Sequence, residues 1–254
     1  VHLKSLTLAL LVGAVFLTGC AEKEEYTEKS VEALYNDAMD AFEAKSFKKA
    51  AKSFAEVERQ HPYSNWAVKA QLMSAYSYYA SKMYDEAIEG FNVFIQLHPG
   101  HPDVAYAYYM LGLCYYEQIP IVERDQKPSE DALNAFLEVT NRFESSFYAK
   151  DARFKIDMIK DHLAAKEMDV GRYYQSKNSY LAAVTRFKVV VDQYQTSSHT
   201  PEALHRLVEC YLALKLNDEA KKTAAILSHN YPDSSWYKES YNLIKATAPD
   251  LANG

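Results

Sequence analysis

Three cysteines, eight histidines and twenty-one tyrosines are the residues of this 254-residue chain best suited to chemistry, and their spacing assigns them different tasks. Cys20 follows Leu17-Thr-Gly, which closes an apolar run from Leu6 to Phe16 behind Lys4. A basic residue, roughly 7–15 apolar residues and then small ones is the pattern of a cleavable export signal, whereas a membrane span needs about 20. Cys114 and Cys210 lie far apart, each inside an apolar helical pattern, and are expected to be buried free thiols. His98 and His101, in His-Pro-Gly-His-Pro, could be drawn as metal ligands, yet Asp103 is their one nearby carboxylate. They read as turn residues, as does His61 before Pro62. No Gly-x-Ser-x-Gly elbow, His-Glu-x-x-His pair or Gly-Lys-Ser/Thr phosphate loop occurs, and seven glycines leave little room for such devices. No catalytic residue, metal or cofactor is expected, so the chain does not read as an enzyme.

Leu17-Thr-Gly-Cys20 resembles the lipobox of bacterial lipoproteins. That resemblance implies a diacylglyceryl group on the Cys20 thiol, cleavage before Cys20 and acylation of the freed amine. One acyl chain, at about 0.8 kcal/mol per buried CH₂, holds only marginally, while two or more hold stably. Ala21 stands where an Asp would imply inner-membrane retention, which points to the outer membrane. Residues 1–19 are therefore expected to be a signal peptide and residues 20–29 a flexible lipid-anchored tether on the periplasmic face, since Ala21 to Lys29 are mostly charged or polar. The formal charge of −6 includes no basic patch, so nucleic acid is not an expected partner.

The remaining chain must supply the scaffold, and its composition favours helix: few glycines, short β-branched runs, abundant Ala, Lys, Glu and Tyr. A triplet recurs along it. Ala50, Phe54 and Val57 return as Ala87, Phe91 and Phe94, as Ala132, Phe136 and Val139, as Ala183, Phe187 and Val190, and as Ala220, Ala224 and Leu227. Phe47, Tyr84 and Tyr180 precede three of these alanines by three, and Pro62, Pro99 and Pro232 follow three of them by twelve. The pattern resembles the second helix of a tetratricopeptide repeat, whose period is about 34 residues. Spacings of 37, 45, 51 and 37 residues place insertions in two repeats. The charged segment Gln118 to Pro128, bounded by prolines, predicts a loop. Ala152, Ile156, Ile159 and Leu163, at helical spacing, predict one long helix of about eight turns between Tyr148 and Ser176. Ser235 to about Ala246 predicts a closing helix. The expected fold is all-α, a right-handed superhelix of about five repeats with one long connecting helix and a C-terminal capping helix. Residues 30–143 would hold repeats 1–3 and residues 144–254 the long helix, repeats 4–5 and the cap.

In tetratricopeptide repeats the first helix lines the concave groove with its positions two, five, nine and twelve. Aligned so, repeat 1 presents Tyr35, Met39 and Phe42, repeat 2 Leu72, Tyr76 and Tyr79, and repeat 3 Tyr106, Tyr109 and Tyr116. A contiguous exposed aromatic patch of this kind usually marks a binding site. Tyr78 and Tyr115, one helix position away, are expected to pack between helices. The later repeats present Met168, Arg172 and Gln175, then Glu202, His205, Glu209 and Leu212, so the groove is expected to turn from aromatic to polar.

Longer segments carry a more specific likeness. Phe94-Ile-Gln-Leu-His-Pro-Gly-His-Pro102, Tyr108-Tyr-Met-Leu-Gly-Leu113, Val122-Glu-Arg-Asp-Gln126 and Ala165-Lys-Glu-Met-Asp-Val-Gly-Arg-Tyr-Tyr174 resemble the BamD family of outer-membrane lipoproteins, in that family's order from about Leu34 to Leu243. Glu144 and Gln195 depart from it where prolines commonly end repeats. The resemblance implies a non-enzymatic adaptor of the β-barrel assembly machinery that docks on the periplasmic domains of BamA, works beside other Bam lipoproteins and aids insertion of unfolded outer-membrane β-barrel proteins. Barrel strands alternate apolar and polar residues and carry aromatic girdles, which suits an aromatic groove. The polar second half would then face partner subunits, with Arg172, Arg186 and Arg206 as leading contacts. A tetratricopeptide lipoprotein serving as a secretin pilotin or cell-wall synthesis scaffold is the competing reading.

Overall fold

The computed structural model describes residues 29–247; the expected signal peptide, Cys20 and the tether as far as residue 28 lie outside the described residues. Within them all regular structure is helical: α1 (Val31–Glu43), α2 (Phe47–Gln60), α3 (Asn65–Ala80), α4 (Tyr84–Leu97), α5 (Val104–Tyr116), α6 (Lys127–Arg142), α7 (Phe147–Ser176), α8 (Tyr180–Gln193), α9 (Thr200–Ala213), α10 (Asn217–Asn230) and α11 (Ser235–Thr247). Each helix packs on its chain neighbours, giving five hairpin repeats stacked as a superhelix, and α11 closes the stack against α9 and α10. The expected long helix is α7, whose 30 residues extend about 45 Å at 1.5 Å per residue.

The recurring triplet builds the core. Residues at i, i+4 and i+7 share one helix face, and in the second helices of repeats 1–4 all three members of each triplet are fully buried. In α10 Ala220 and Leu227 are buried while Ala224 is partly exposed. Size complementarity explains the exception. Gly112 and Gly171 lie so close to Phe136 and Phe187 that an added Cβ would stand 2.7 and 2.4 Å from the rings. In the last repeat Val208 occupies the matching first-helix position and Ala224 packs against its cluster. A small first-helix residue receives a large second-helix one, or the reverse, which keeps the interhelical volume filled.

Two kinds of turn repeat along the chain. Between the helices of a hairpin, Lys45, Lys82, Asn178 and Lys215 adopt φ of 57°, 61°, 57° and 61°, the left-handed conformation of a helix C-terminal cap. Its hydrogen bonds are present, as in Ser46 N donating to Ala41 O at 2.9 Å. Between repeats, His61, His98, Phe143, Tyr194 and Tyr231 end the second helices with φ between −137° and −122°. Phe143 and Tyr194 do so although Glu144 and Gln195 replace the proline, so the turn survives that departure. The loop after α5 ends two residues earlier than its prolines suggest, because α6 begins at Lys127. Pro128 lies in the first turn of α6, where its missing N–H has no intrahelical partner to lose.

Candidate binding groove

The nine residues assigned to the groove, Tyr35, Met39, Phe42, Leu72, Tyr76, Tyr79, Tyr106, Tyr109 and Tyr116, are all half-buried. Each rests its inner side on the interhelical clusters and presents the remainder to solvent. Ring contacts recur across three repeats, in two groups. Phe42 and Tyr76 lie 5.8 Å apart, Tyr76 and Tyr79 6.3 Å, and Tyr79 and Tyr84 5.9 Å. Tyr106 and Tyr109 both meet Tyr148, at 5.4 and 5.3 Å. Tyr78 and Tyr115 pack on the same core and remain partly exposed.

The surface is broader than the first helices of repeats 1–3. The N-terminal half of α7 supplies a wall: Tyr109 donates its hydroxyl to Asp151 Oδ2 at 2.7 Å, Tyr116 donates to Met158 Sδ at 3.6 Å, and Lys155 Nζ stands 4.5 Å above the Tyr116 ring. A second set of residues escaped the position rule. Trp66 stacks on Tyr35 at 4.7 Å, Tyr148 on Tyr106 and Tyr109, and Trp236 on His205 at 5.2 Å. Each is the second residue after a serine (Ser64, Ser146, Ser234) at the start of a first helix. That Ser-x-aromatic pattern was the available signal.

Four phenols of the groove are shifted toward the neutral form. Burial raises Tyr35, and burial, followed by the neighbouring Glu117 carboxylate, pushes Tyr79 up to about 12. Tyr106 is raised by burial, and Tyr109 by burial and then by its bond to Asp151. The result is a largely apolar strip with hydroxyl tips able to accept or donate a hydrogen bond, flanked by Asp151 and Lys155 of the α7 wall. Cys114 and Cys210 are free and buried, each pushed to about 12 by burial, which makes both unreactive as thiolates. His98 Nε2 pairs with Gln71 Oε1 at 3.0 Å and His101 Nδ1 accepts from the Asp103 N–H at 3.1 Å, so both serve the turn. Among the described residues no group of three His, Cys, Asp or Glu could hold a metal.

The polar half differs from expectation in two residues. Met168 is fully buried and His205 is 4% exposed, because α8 packs over one and α11 over the other. His205 Nδ1 is bonded to Ser240 Oγ at 2.8 Å. The remaining positions form a ladder between α7 and α9. Arg172 Nη1 donates to both oxygens of Glu202 at 3.2 Å and Arg172 also pairs with Asp169. Arg206 bridges Glu202 at 3.3 Å and Glu209 at 2.8 Å, and Gln175 donates to Glu209 at 2.9 Å. Arg186 pairs with Glu167 at 3.3 Å. All three arginines therefore have acids within the chain, while their side chains keep 38%, 26% and 43% exposure for Arg172, Arg206 and Arg186.

Five stacked helix hairpins with a half-buried aromatic groove define a tetratricopeptide-repeat fold. The chain is similar to the TPR2AB domain of yeast Sti1 in complex with an HSP90 peptide, at 11% identity and a TM-score of 0.46 over 87% of this chain and 89% of that one. Residues 27–227 match the family model YfiO, described as an outer membrane lipoprotein. The relative named outer membrane protein assembly factor BamD from Caulobacter vibrioides is 45% identical over 94% of this chain and 80% of its own length. Its counterparts of the same name from Rickettsia prowazekii and Neisseria gonorrhoeae are 43% and 32% identical, covering 96% and 94% of this chain and 98% and 94% of their own lengths. The chain belongs to this BamD (YfiO) family of outer membrane lipoproteins.

Proposed function

We propose that this protein is a non-enzymatic scaffold of the outer-membrane β-barrel assembly machinery, held on the periplasmic face by lipid on Cys20. Its groove takes an extended, aromatic-bearing strand of an unfolded barrel protein. The observation that carries this reading is the series of half-buried aromatic rings on the first helices of repeats 1–3 and the start of α7, whose chemistry suits the apolar face of an alternating barrel strand. The polar ladder of α7 and α9 is assigned to partner subunits, the periplasmic domains of BamA first among them and other Bam lipoproteins beside it. Arg186 is the most open of the three arginines and the best single probe. Because its partner Glu167 sits within the chain, a docked subunit would share the guanidinium, whose planar fork leaves donors to spare.

Affinity purification of the intact protein from detergent-solubilised outer membrane tests the assignment. Co-purification of BamA in stoichiometric amount is expected, reduced by Arg186→Glu in a variant that still folds, as checked by its helical circular-dichroism signal. Recovery of the chain alone would reject it. For the anchor, Cys20→Ala should abolish lipidation and leave an inner-membrane precursor or a soluble product. Normal outer-membrane fractionation of that variant would exclude Cys20 as the attachment site.

A further inference from the structure

Lys29, the first described residue, is fixed at one defined place. The Lys29 carbonyl accepts a hydrogen bond from His61 Nε2 at 2.8 Å, and its N–H is 3.3 Å from Gln60 Oε1, at the C-terminus of α2. That end of the hairpin is the edge where every second helix stops and the next first helix begins. Along this same edge stand large apolar side chains with little cover: Tyr63 is 100% exposed, Leu97 61% and Phe147 92%, with Trp66 beside them at 37%. The turns that carry them are nearly uncharged. Residues 61–64, 98–103 and 143–146 contain two carboxylates, Asp103 and Glu144, each facing a basic side chain, His101 and Arg153 respectively. The opposite edge is unlike it, presenting Lys45, Lys82 and Lys215 in the hairpin turns.

We infer that the edge bearing Tyr63, Trp66 and Phe147 lies on the phospholipid surface, so that the groove is held at a fixed orientation to the membrane instead of swinging on a leash. This rests on acylation of Cys20, argued above. Eight residues lie between Cys20 and Lys29, nine steps that span at most about 32 Å when fully extended. A tether that short leaves the edge from which it emerges within reach of the headgroups. Tyr and Trp, with apolar bodies and polar tips, favour that interface, and uncharged turns avoid the cost of dehydrating ions there.

Brominated phospholipids, which quench tryptophan on contact, supply the test. The acylated full chain carrying Trp236→Phe, so that Trp66 is its one tryptophan, is bound to phosphatidylethanolamine–phosphatidylglycerol vesicles with brominated acyl chains. A second protein reports the other edge through Lys48→Trp in a Trp66→Phe, Trp236→Phe background. Trp66 emission should be quenched and the Lys48→Trp emission should not. Tyr63→Ser with Phe147→Ser, both on side chains that contribute little to packing, should remove the Trp66 quenching while vesicle flotation persists. Flotation with unquenched Trp66, quenching at Lys48→Trp in its place, or quenching retained in the double variant would each overturn the edge assignment. Failure to float would overturn the acylation reading itself and this inference with it.

Discussion

At the scale of single residues, the fold turns on how little space separates the two helices of a hairpin. Gly171 faces Phe187, which is fully buried and has nowhere to retreat. Gly171→Ala should therefore cost about 1–3 kcal/mol in overpacking, against roughly 1 kcal/mol gained in helix propensity. Thermal unfolding should show a net loss. Gly100→Ala, with no atom near the new Cβ, should leave the midpoint unchanged. Equal midpoints for the two variants would mean that the glycine is not what admits the ring. The groove tyrosines obey a related constraint, since one side of each ring is part of the core. Single substitutions there test binding only when stability is measured alongside.

At the scale of elements, the hairpin turns hold lysines in a conformation that disfavours them. A left-handed backbone costs a residue with a Cβ about 1–2 kcal/mol, part of which glycine recovers before its own entropy loss. Lys82→Gly should raise stability by about 0.5–1 kcal/mol in denaturant titration, and a loss would show that the lysine side chain makes a compensating contact. The ladder between α7 and α9 has a pH signature. Burial pushes the Glu209 carboxyl up, but hydrogen bonds from His205, Gln175 and Arg206 outweigh it and hold the group at about 2. A folded pKa below the unfolded one means that the contribution is fully present above about pH 4.5 and fades as pH falls toward 2. Glu209→Gln should thus be destabilising at pH 7, with the gap to the parent protein closing across that window. A gap that did not change with pH would contradict the ladder.

These elements also mark the boundary of what the sequence makes legible. Ala50-Phe54-Val57 and its copies announce the second helices because residues at i, i+4 and i+7 share one helix face, and in the first four repeats that face is fully buried. Pro62, Pro99 and Pro232 announce their ends. The position rule finds Tyr76 or Tyr109 but misplaces His205 and Met168, since a pattern within a repeat does not say which later helix covers it. The α7 wall, with Asp151, Lys155 and Met158, was hidden for a similar reason: it is made by an element that the repeat period treats as an insertion. The internal partners of Arg172, Arg186 and Arg206 lie on neighbouring turns or helices, where spacing alone does not distinguish a salt bridge from an open cation.

At the scale of the whole molecule, chemistry is divided along the superhelix: a neutral aromatic half built by α1 to the start of α7, then a charged, internally paired half closed by α11. Under the proposed function, this division would let one chain hold an apolar strand and a folded partner at once, the first by contacts that salt does not screen and the second by contacts that it does. The most direct test is the affinity of the intact protein for a fluorescent peptide copied from the C-terminal strand of an outer-membrane barrel protein, measured by anisotropy against the Tyr76→Ala, Tyr79→Ala, Tyr109→Ala triple variant at low and high salt. With each ring contact worth roughly 0.5–1.5 kcal/mol beyond its area, the triple variant should bind at least about tenfold more weakly, and the parent affinity should persist at high salt. Unchanged affinity in a folded triple variant, or binding by the parent that vanishes with salt, would contradict the groove.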